Sequence, residues 1–480
     1  MAIVNRAKAP SPVRLLSINP LRLIVSSFAL VILTGTLLLL LPIATKSGAT
    51  PGLLRALFTA TSAVCVTGLV LEDTATYWST FGKSVILLLI QVGGLGIVTI
   101  TSFFYSFMRR KASLKTLVVT KESTASFNFE DVFALVRKII AITLVTEGIG
   151  AIILSWRFAL RYGLRDGITK GIFQAVSSYC NAGFDLHGDT IAPGMLALGV
   201  TDGKFSSLIA WNNDPIVILT TALLIIFGGL GFLVWSEILS IRHGGRLHFH
   251  SRVVLAMTGI LIVTGMIAFL ATEWHNTQHP YSLGSLPVWQ RPLAAFFQSV
   301  TPRTAGFNTI DQTSLYDTSK FITVILMFIG AAPGSTGGGI KITTFAVFVA
   351  TILSDITNHD EIVLSRHRLS RETFTRALAV MGLGMLIVLT TTITLGYFEV
   401  QALESGRFSF LDLFYEATSA FATVGLSAAG TPNLSTGSQI ILIPAMYLGR
   451  VGPASFAISL ALRAAKKREI VHPEGKILVG

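Results

Sequence analysis

The chain has 480 residues, of which 51% are hydrophobic and only 13% are charged. An average soluble domain has about 25% charged residues, so this composition excludes an ordinary soluble enzyme and a disordered chain. The formal net charge of +12 fits either a nucleic-acid partner or a membrane protein with basic loops. Two cysteines, Cys65 and Cys180, are too few for a disulfide framework or a four-cysteine zinc site, and we expect packed thiols.

Eight apolar segments of roughly 20 residues predict membrane-spanning helices. They lie at about 21–43, 84–108, 133–156, 215–241, 253–272, 321–350 (interrupted), 374–398 and 438–462. Four shorter semi-apolar segments lie between them, near 53–65, 170–180, 290–302 and 410–422. These are too short to cross a membrane. They are either exposed amphipathic loops or re-entrant segments, and the repeats described below favour the second interpretation.

The basic residues predict the orientation of the chain. If both termini are cytoplasmic, the inner segments hold 23 of the 37 Lys and Arg residues. The positive-inside rule then places the four short segments on the outer side and explains the net charge without nucleic acid. An outer basic cluster runs against this rule: Arg157, Arg161, Arg165 and Lys170. The polar N-terminal segment has no apolar stretch ending in a cleavage site, so we expect no signal peptide.

The four short segments end alike. Residues 60–69 and 417–426 are identical at six of ten positions. Residues 173–184 and 297–307 both begin with Phe-Gln and end with Ala-Gly-Phe, with one residue fewer in the second of the two. The terminal glycines are Gly68, Gly183, Gly306 and Gly425, which are 115 to 123 residues apart. The chain therefore contains a fourfold repeat of helix, re-entrant segment, glycine and helix.

Each repeat crosses the membrane twice, so all four repeats have the same orientation, which argues against an inverted-repeat transporter. We predict an all-α polytopic membrane protein with four helix–pore segment–helix repeats around a pseudo-fourfold central pore. The predicted divisions are a cytoplasmic N-terminal segment (1–20), repeat 1 (21–110), repeat 2 (111–245), repeat 3 with a broken second helix (246–360), repeat 4 (361–468) and a C-terminal tail (469–480).

Four loops that end in glycine and meet at one axis predict a cation filter, because backbone carbonyls can replace the water shell of an ion. A single glycine indicates only a turn or close packing, whereas four at one period favour the filter. The candidate ion-binding residues are Cys65, Val66, Thr67 and Gly68; Cys180, Asn181, Ala182 and Gly183; Arg303, Thr304, Ala305 and Gly306; and Ala422, Thr423, Val424 and Gly425. For Arg303 we expect a side chain that points behind the filter to a carboxylate, either Asp412 or Glu416.

The second helix of repeat 3 is interrupted by five glycines and a proline within residues 330–339, a sequence that cannot hold a regular helix. In the other repeats the corresponding sequences are Gly-Gly-Leu-Gly (93–96 and 228–231) and Gly-Arg-Val-Gly (449–452), which we interpret as close helix packing except at Arg450. A charge inside an apolar span usually faces a water-filled cavity or a partner. We predict a gate below the filter, formed by Gly334, Ser335, Thr336, Gly337, Gly338, Gly339, Lys341 and Arg450.

No enzyme motif, transition-metal motif or nucleotide-binding fingerprint is recognised, and the glycines of 337–341 lack the ending of a phosphate loop. We therefore expect no enzymatic activity and no organic cofactor on this chain.

The chain resembles the Trk/Ktr/HKT superfamily of potassium transporters and is most similar to the Ktr membrane subunit. The residues that carry the resemblance are 58–69, 91–96, 181–184, 304–308, 334–341 and 449–453. The resemblance implies a potassium pore of four M1-P-M2 units, with the four terminal glycines in the filter and with loop 334–341 and Arg450 in the gate. It also implies a homodimer on a cytoplasmic ring of nucleotide-binding regulatory subunits, and promotion of uptake by sodium.

Two other functions remain open from the sequence. The first is a coupled secondary transporter of another small monovalent cation, such as ammonium or sodium. The second is a membrane receptor or scaffold that transports nothing. Four glycines that present carbonyls at one period favour a channel-like potassium uptake pore over the scaffold. A coupled transporter would be expected to have charged ion sites between its helices, and only Glu147 and Arg450 lie clearly within the predicted spans.

Overall fold

The computed structural model describes residues 20–96, 132–190, 206–241, 244–357, 362–364 and 367–452. Nearly all of the predicted N-terminal segment, the inner ends of the predicted spans 84–108 and 438–462, and the C-terminal tail lie outside the described residues. The described part is mostly helical. Its one two-stranded sheet pairs β1 (Val363–Leu364) with β2 (His367–Arg368) in an antiparallel hairpin.

The helices follow the order that the fourfold repeat predicts. The first group is α1 (Pro20–Leu39), α2 (Leu53–Cys65), α3 (Thr74–Tyr77) and α4 (Thr80–Leu95). The second is α5 (Val132–Tyr162), α6 (Leu164–Tyr179), α7 (Pro215–Gly229) and α8 (Phe232–Ile241). The third is α9 (Phe249–Glu273), α10 (Arg291–Val300), α11 (Asp317–Phe328) and α12 (Ile342–Ile356). The fourth is α13 (Arg371–Phe398), α14 (Val400–Glu404), α15 (Phe410–Ala422) and α16 (Thr436–Val451).

Three described helices are long and apolar enough to cross a membrane: Val136–Tyr162 within α5, α9 and α13. The bent pair of α7 and α8 would count as a fourth. The other predicted spans correspond to shorter helices, because α4 and α16 end near the limit of the described residues and the third-repeat span is divided into α11 and α12. The first helix of each repeat is thus continuous and the second is short or broken.

The four repeats close into a ring. Within a repeat, the first helix packs against its pore helix, as α1 does against α2 and α5 against α6. Between repeats, the second helix packs against the pore helix that follows in the chain, in the pairs α4–α6, α7–α10 and α11–α15. The pair α16–α2 joins the fourth repeat to the first and completes the circle. The pore helices α2, α6, α10 and α15 therefore stand around one centre, as the predicted fold class requires.

The predicted span 215–241 is not one straight helix. It divides into α7 and α8, which are bent by 101° at Leu230 and Gly231. Gly231 has φ +89°, a conformation that L residues rarely adopt, and the N–H of Phe232 donates to the carbonyl of Gly334 at 3.0 Å. Close helix packing is therefore an incomplete interpretation of Gly-Gly-Leu-Gly, since its last glycine ends the helix.

The basic residues that oppose the positive-inside rule are largely engaged by loops at their own end of the helices. Arg157 pairs with Asp214 at 2.5 Å, and this carboxylate also accepts the backbone N–H of Ile216 at the start of α7. Arg161 donates to the carbonyl of Ala210 at 3.0 Å, and Lys170 pairs with Asp189 at 2.6 Å. These contacts give the basic residues a structural role. The positive-inside rule does not consider such a role, because it only counts Lys and Arg residues in each loop.

A buried ion pair joins repeats 3 and 4, and it yields a prediction of stability. Lys320 on α11 lies 2.8 Å from Asp412 on α15, and their side chains are only 9% and 11% exposed. Lys320→Met leaves a buried carboxylate without its cation, so we expect a lower apparent Tm in detergent, equivalent to about 3 kcal/mol. The double variant Lys320→Met/Asp412→Asn is expected to recover most of the loss. The exposed pair Arg376–Glu372 is the control, and an equal effect of Arg376→Met would contradict the prediction.

Candidate ion pore and gate

All four filter segments share one backbone conformation. Each terminal glycine has positive φ, between +70° at Gly183 and +95° at Gly425. Two residues earlier, each segment has a non-glycine residue with positive φ, and these are Val66, Asn181, Thr304 and Thr423. Left-handed backbone is uncommon outside glycine and marks local strain held by the surrounding structure. Its recurrence at the same place in all four segments, on valine, asparagine and threonine, shows that the repeats are equivalent in three dimensions.

The hydrogen bonds of the filters repeat as well. The residue before the glycine donates its N–H to a carbonyl five positions earlier in repeats 1, 2 and 4, as Thr67 does to Ser62 at 2.8 Å. In repeat 3 the same bond spans four positions, from Ala305 to Thr301 at 3.0 Å, which accounts for its one missing residue. Ser62 and Ser419 accept the N–H of Gly68 and Gly425 through their hydroxyls, whereas Ser177 and Thr301 donate to the carbonyls of Phe184 and Phe307.

The four glycines meet at the centre of the ring. A Cβ placed on Gly68, Gly183, Gly306 or Gly425 would lie closer than 3.0 Å to the carbonyl oxygen that precedes the glycine of the next repeat. These oxygens belong to Ala182, Ala305, Val424 and Thr67, in that cyclic order. The four carbonyls form a closed ring with no space for a side chain between neighbours. Such a ring offers the oxygen ligands that a dehydrated alkali cation needs.

Above the ring lies a cavity of about 300 Å³ that all four filter glycines line. Asp73, Asp185 and Asp311 also line it. The carboxylate of Asp185 accepts the N–H of His187 at 2.9 Å. Burial and the neighbouring Asp73 raise the pKa of Asp185 to about 6, against the opposing effects of the His187 N–H, the Ser207 hydroxyl and Lys170. The outer mouth therefore combines access to the filter with negative charge, which concentrates cations.

The loop between α11 and α12 packs directly against the filters. A Cβ on Gly337 would overlap the side chain of Thr304, and one on Gly338 would overlap that of Thr423. The hydroxyl of Thr336 donates to the carbonyl of Tyr179 at 3.1 Å. The N–H of Ala332 donates to the carbonyl of Gly229, beside the bend between α7 and α8. Glycines thus let this broken backbone approach three repeats at once.

Two basic side chains donate hydrogen bonds to carbonyls of this loop. Arg450 donates to the carbonyls of Thr336 and Gly93, and it lies 3.4 Å from that of Gly94. Lys341 donates to the carbonyl of Gly337 at 2.8 Å. No ion pair of Arg450 occurs among the described residues. Arg450 therefore connects the second helices of repeats 1 and 4 and the loop of repeat 3 through backbone oxygens.

The predicted carboxylate partner of Arg303, either Asp412 or Glu416, is wrong. Arg303 is 6% exposed, and its Nη1 donates to the carbonyl of Thr258 on α9 at 3.3 Å. Asp412 pairs with Lys320, and Glu416 accepts hydrogen bonds from its own repeat, from Ser427, Ala429 and Thr431. Both carboxylates already have donors, so the guanidinium turns to the first helix of repeat 3.

The glycines of the second helices have two separate uses. A Cβ on Gly93, Gly228 or Gly449 would overlap a carbonyl near the end of a pore helix, that of Val64, Tyr179 or Phe421. Three residues later, Gly96, Gly231 and Gly452 all have positive φ, between +80° and +89°. The Gly-x-x-Gly spacing was visible in sequence, but the first glycine's contact with the pore helix was not. Cys65 and Cys180 are buried free thiols, as expected.

A closed ring of four pore loops inside a helical bundle defines a polytopic membrane protein of the cation-conducting class. The sequence profile of the TrkH family, described as a cation transport protein, matches residues 13–469. The chain belongs to this family, which transports ions and catalyses no reaction, so the predicted resemblance is confirmed.

Curated relatives agree over nearly the full length. The chain is 35% identical to the potassium/sodium uptake protein NtpJ of Enterococcus hirae, over 96% of this chain and 98% of the relative. It is 36% identical to the Ktr system potassium uptake protein B of Vibrio alginolyticus, over 96% and 94%. The crystal structure of the potassium transporter TrkH from Vibrio parahaemolyticus has the same fold, with a TM-score of 0.67 and 16% identity over 93% of this chain and 86% of that one.

Asp185 leads to a prediction of pH dependence. Because its pKa is raised to about 6, the carboxylate is charged at pH 7.5 and mostly protonated at pH 5. We expect the apparent affinity for the transported cation to fall about threefold at pH 5, the effect of one charge at ~6 Å in water. Asp185→Asn should show the weaker affinity at both pH values in flux measurements. The exposed Asp317→Asn serves as control, and a pH dependence that survives in Asp185→Asn would contradict the assignment.

Proposed function

We propose that this protein is a potassium-selective, channel-like uptake pore. The observation that carries the proposal is the closed ring of carbonyl oxygens from Thr67, Ala182, Ala305 and Val424. The ring is uncharged and made of backbone, so it favours a monovalent cation that loses its water shell over a multivalent ion. Relatives named as potassium or potassium/sodium uptake proteins support this substrate.

The ion-binding residues we propose are the sixteen residues of the four filters. Their backbone carbonyls are the proposed ligands of the ion. The side chains of Thr67 and Thr423 are therefore not part of the proposed coordination. The C-terminal ends of the four pore helices lie at the ring, where their partial negative charge adds to the attraction of a cation. We further propose that sodium is the second ion, promoting uptake rather than replacing potassium.

The gate we propose is the loop 330–341 together with Arg450. Contacts of Gly337 and Gly338 with the third and fourth filters support a position directly below the ion site. Arg450, which donates to the carbonyl of Thr336, adds a positive charge to the path of a leaving cation, and Lys341 donates to the next carbonyl of the loop. Opening would require this loop to move away from the filters and either to carry these two side chains with it or to release them.

We propose that both termini are cytoplasmic, as the basic inner segments favour, and that the repeat boundaries are those predicted from sequence. A homodimer on a cytoplasmic ring of nucleotide-binding subunits is the proposed assembly. Two relatives are named as potassium uptake protein B of a Ktr system, and this name supports an assembly with other proteins of such a system.

The experiment that tests the function is rubidium uptake into liposomes containing the purified protein. We expect saturable uptake that excess potassium blocks. Ammonium at the same concentration should leave uptake largely intact, and sodium should leave it intact or raise it. Equal block by ammonium or sodium would favour the coupled transporter of another cation. The absence of any uptake, with and without the regulatory subunits, would favour the scaffold.

Gly306→Ser tests the filter. At φ +80° a side chain is strained, and its Cβ would press against the Val424 carbonyl and lie 3.2 Å from the Cα atoms of Gly183 and Gly425. We expect at least a tenfold loss of preference for rubidium over sodium, equivalent to more than ~1.4 kcal/mol. The control is Gly48→Ser, since Gly48 has a similar φ of +72° but nothing within 4 Å. Unchanged selectivity in Gly306→Ser would remove Gly306 from the filter.

Arg450→Ala tests the gate. It removes the cation and the hydrogen bonds that fix the loop to the second helices of repeats 1 and 4, so we expect faster rubidium uptake with selectivity retained. Uptake is measured per folded protein in liposomes. Arg450→Lys keeps the charge but has fewer hydrogen-bond donors, so we expect its uptake rate to lie between those of Arg450→Ala and the unsubstituted protein. A rate equal to that of the unsubstituted protein in both variants would show that Arg450 does not control the pore.

A further inference from the structure

The four pore helices have a polar residue at one equivalent position behind the filter. This position lies nine residues before the terminal glycine in repeats 1, 2 and 4, and eight residues before it in the shorter repeat 3. It is occupied by Thr59, Gln174, Gln298 and Glu416, all of which are buried. Only the fourth is a carboxylate, and its exposure is 0%. A buried carboxylate is costly unless hydrogen bonds compensate, so its contacts must explain its presence.

The carboxylate of Glu416 is surrounded by donors from the segment that follows the fourth filter. Its Oε1 accepts hydrogen bonds from the hydroxyl of Ser427 and from the N–H of Ala429 at 3.3 Å. Its Oε2 accepts a hydrogen bond from the hydroxyl of Thr431 at 3.3 Å. The oxygen of Ser427 in turn accepts the N–H groups of Gly430 and Thr431, at 2.8 and 3.1 Å. Residues 427–431 are thus folded around one side chain of the pore helix.

Repeat 3 uses a neutral version of the same connection. Gln298 and Gln312 exchange two hydrogen bonds, at 2.9 and 3.1 Å. Gln312 lies six residues after Gly306, and Thr431 lies six residues after Gly425, so the connected positions match. In repeat 2, Gln174 instead donates to Ser178 of its own helix at 3.3 Å. Among the described residues, the side chain at this one position therefore bonds to the post-filter segment in repeats 3 and 4. In repeat 2 a different residue of the pore helix makes such a link, since Lys170 pairs with Asp189.

This link fixes the filter from the outside. Val424 and Gly425 lie between α15 and the segment 427–431, so anchoring that segment to Glu416 restrains the fourth filter at both ends. Ser427, Gly430 and Thr431 also line the outer cavity. The hydroxyl of Tyr415 donates to Oε1 of Gln312 at 3.0 Å and ties the two linked repeats together.

We infer that Glu416 is a positioning residue for ion selection, which acts by accepting hydrogen bonds from the post-filter segment and so holds the Val424 carbonyl in the ring. The inference rests on the proposed function of the filter. The role belongs to the acceptor oxygens and not to the charge, since the two hydroxyl donors can turn and a glutamine serves the equivalent position in repeat 3.

The test uses Glu416→Leu, Glu416→Gln and Ser427→Ala, with sodium inhibition of rubidium uptake and the apparent Tm measured for each. Glu416→Leu removes the acceptors, and we expect sodium to compete about tenfold better, the effect of losing one or two hydrogen bonds to a charged group. Glu416→Gln keeps Oε1 for Ser427 and Ala429 and should restore most of the selectivity. Ser427→Ala should change the selectivity in the same direction as Glu416→Leu. The double variant Glu416→Leu/Ser427→Ala should lose no more selectivity than the stronger of the two single variants.

The control is Thr418→Ala on the same helix, since the Thr418 hydroxyl donates to the carbonyl of Phe414 one turn earlier and not to the post-filter segment 427–431, which is described in full. Lower stability with unchanged selectivity in both Glu416→Leu and Ser427→Ala would make Glu416 purely structural and overturn the inference. A Glu416→Gln variant as unselective as Glu416→Leu would overturn the acceptor role in favour of charge. If Glu416→Leu fails to fold, Ser427→Ala decides alone. A Gly306→Ser variant that stays selective would instead refute the proposed filter.

Discussion

Four stretches of backbone approach the same point, and this approach is possible only without side chains. At Gly68, Gly183, Gly306 and Gly425 the nearest atoms are carbonyl oxygens and Cα atoms of the neighbouring repeats. The glycines must also adopt positive φ, which turns the preceding carbonyl into the ring. The positions of the pore helices, the cavity above and the loop below all follow from this single contact among four backbones.

The surrounding helices carry the consequences of that constraint. Because each pore helix ends at the ring, its last carbonyls need close partners, and Gly93, Gly228 and Gly449 allow the second helices to lie directly against them. Those helices then end or bend at the positive-φ residues Gly96, Gly231 and Gly452. In repeat 3 the glycine-rich loop interrupts the corresponding helix, between α11 and α12. This asymmetry is the structural basis of the gate that we propose in one repeat, whereas the filter uses all four.

Charge is used sparingly and at chosen depths. Aspartates line the outer cavity, uncharged carbonyls form the ring, and Arg450 and Lys341 bind the loop below it. In the proposed pore, this order of charges would attract a cation at the mouth, hold it at uncharged carbonyls and oppose it at the loop. Behind the fourth filter lie the ion pair of Lys320 and Asp412 and the carboxylate of Glu416. Their contacts are with other groups of the protein.

The sequence alone determined the number of repeats, the filter glycines, the broken third-repeat helix and the exceptional Arg450, because each is a periodic pattern or a violation of the apolar rule. The family followed from the same residues. Tertiary structure alone decided the partner of Arg303, the 101° bend after Gly229 and the ring order of the carbonyls, because each depends on which surfaces meet in the folded chain: within repeat 3 for Arg303, and between different repeats for the bend and the ring. The left-handed residues Val66, Asn181, Thr304 and Thr423 illustrate this limit. They are of three residue types, and valine and threonine rarely adopt this strained conformation, so the packing of the ring and not a shared local preference explains it.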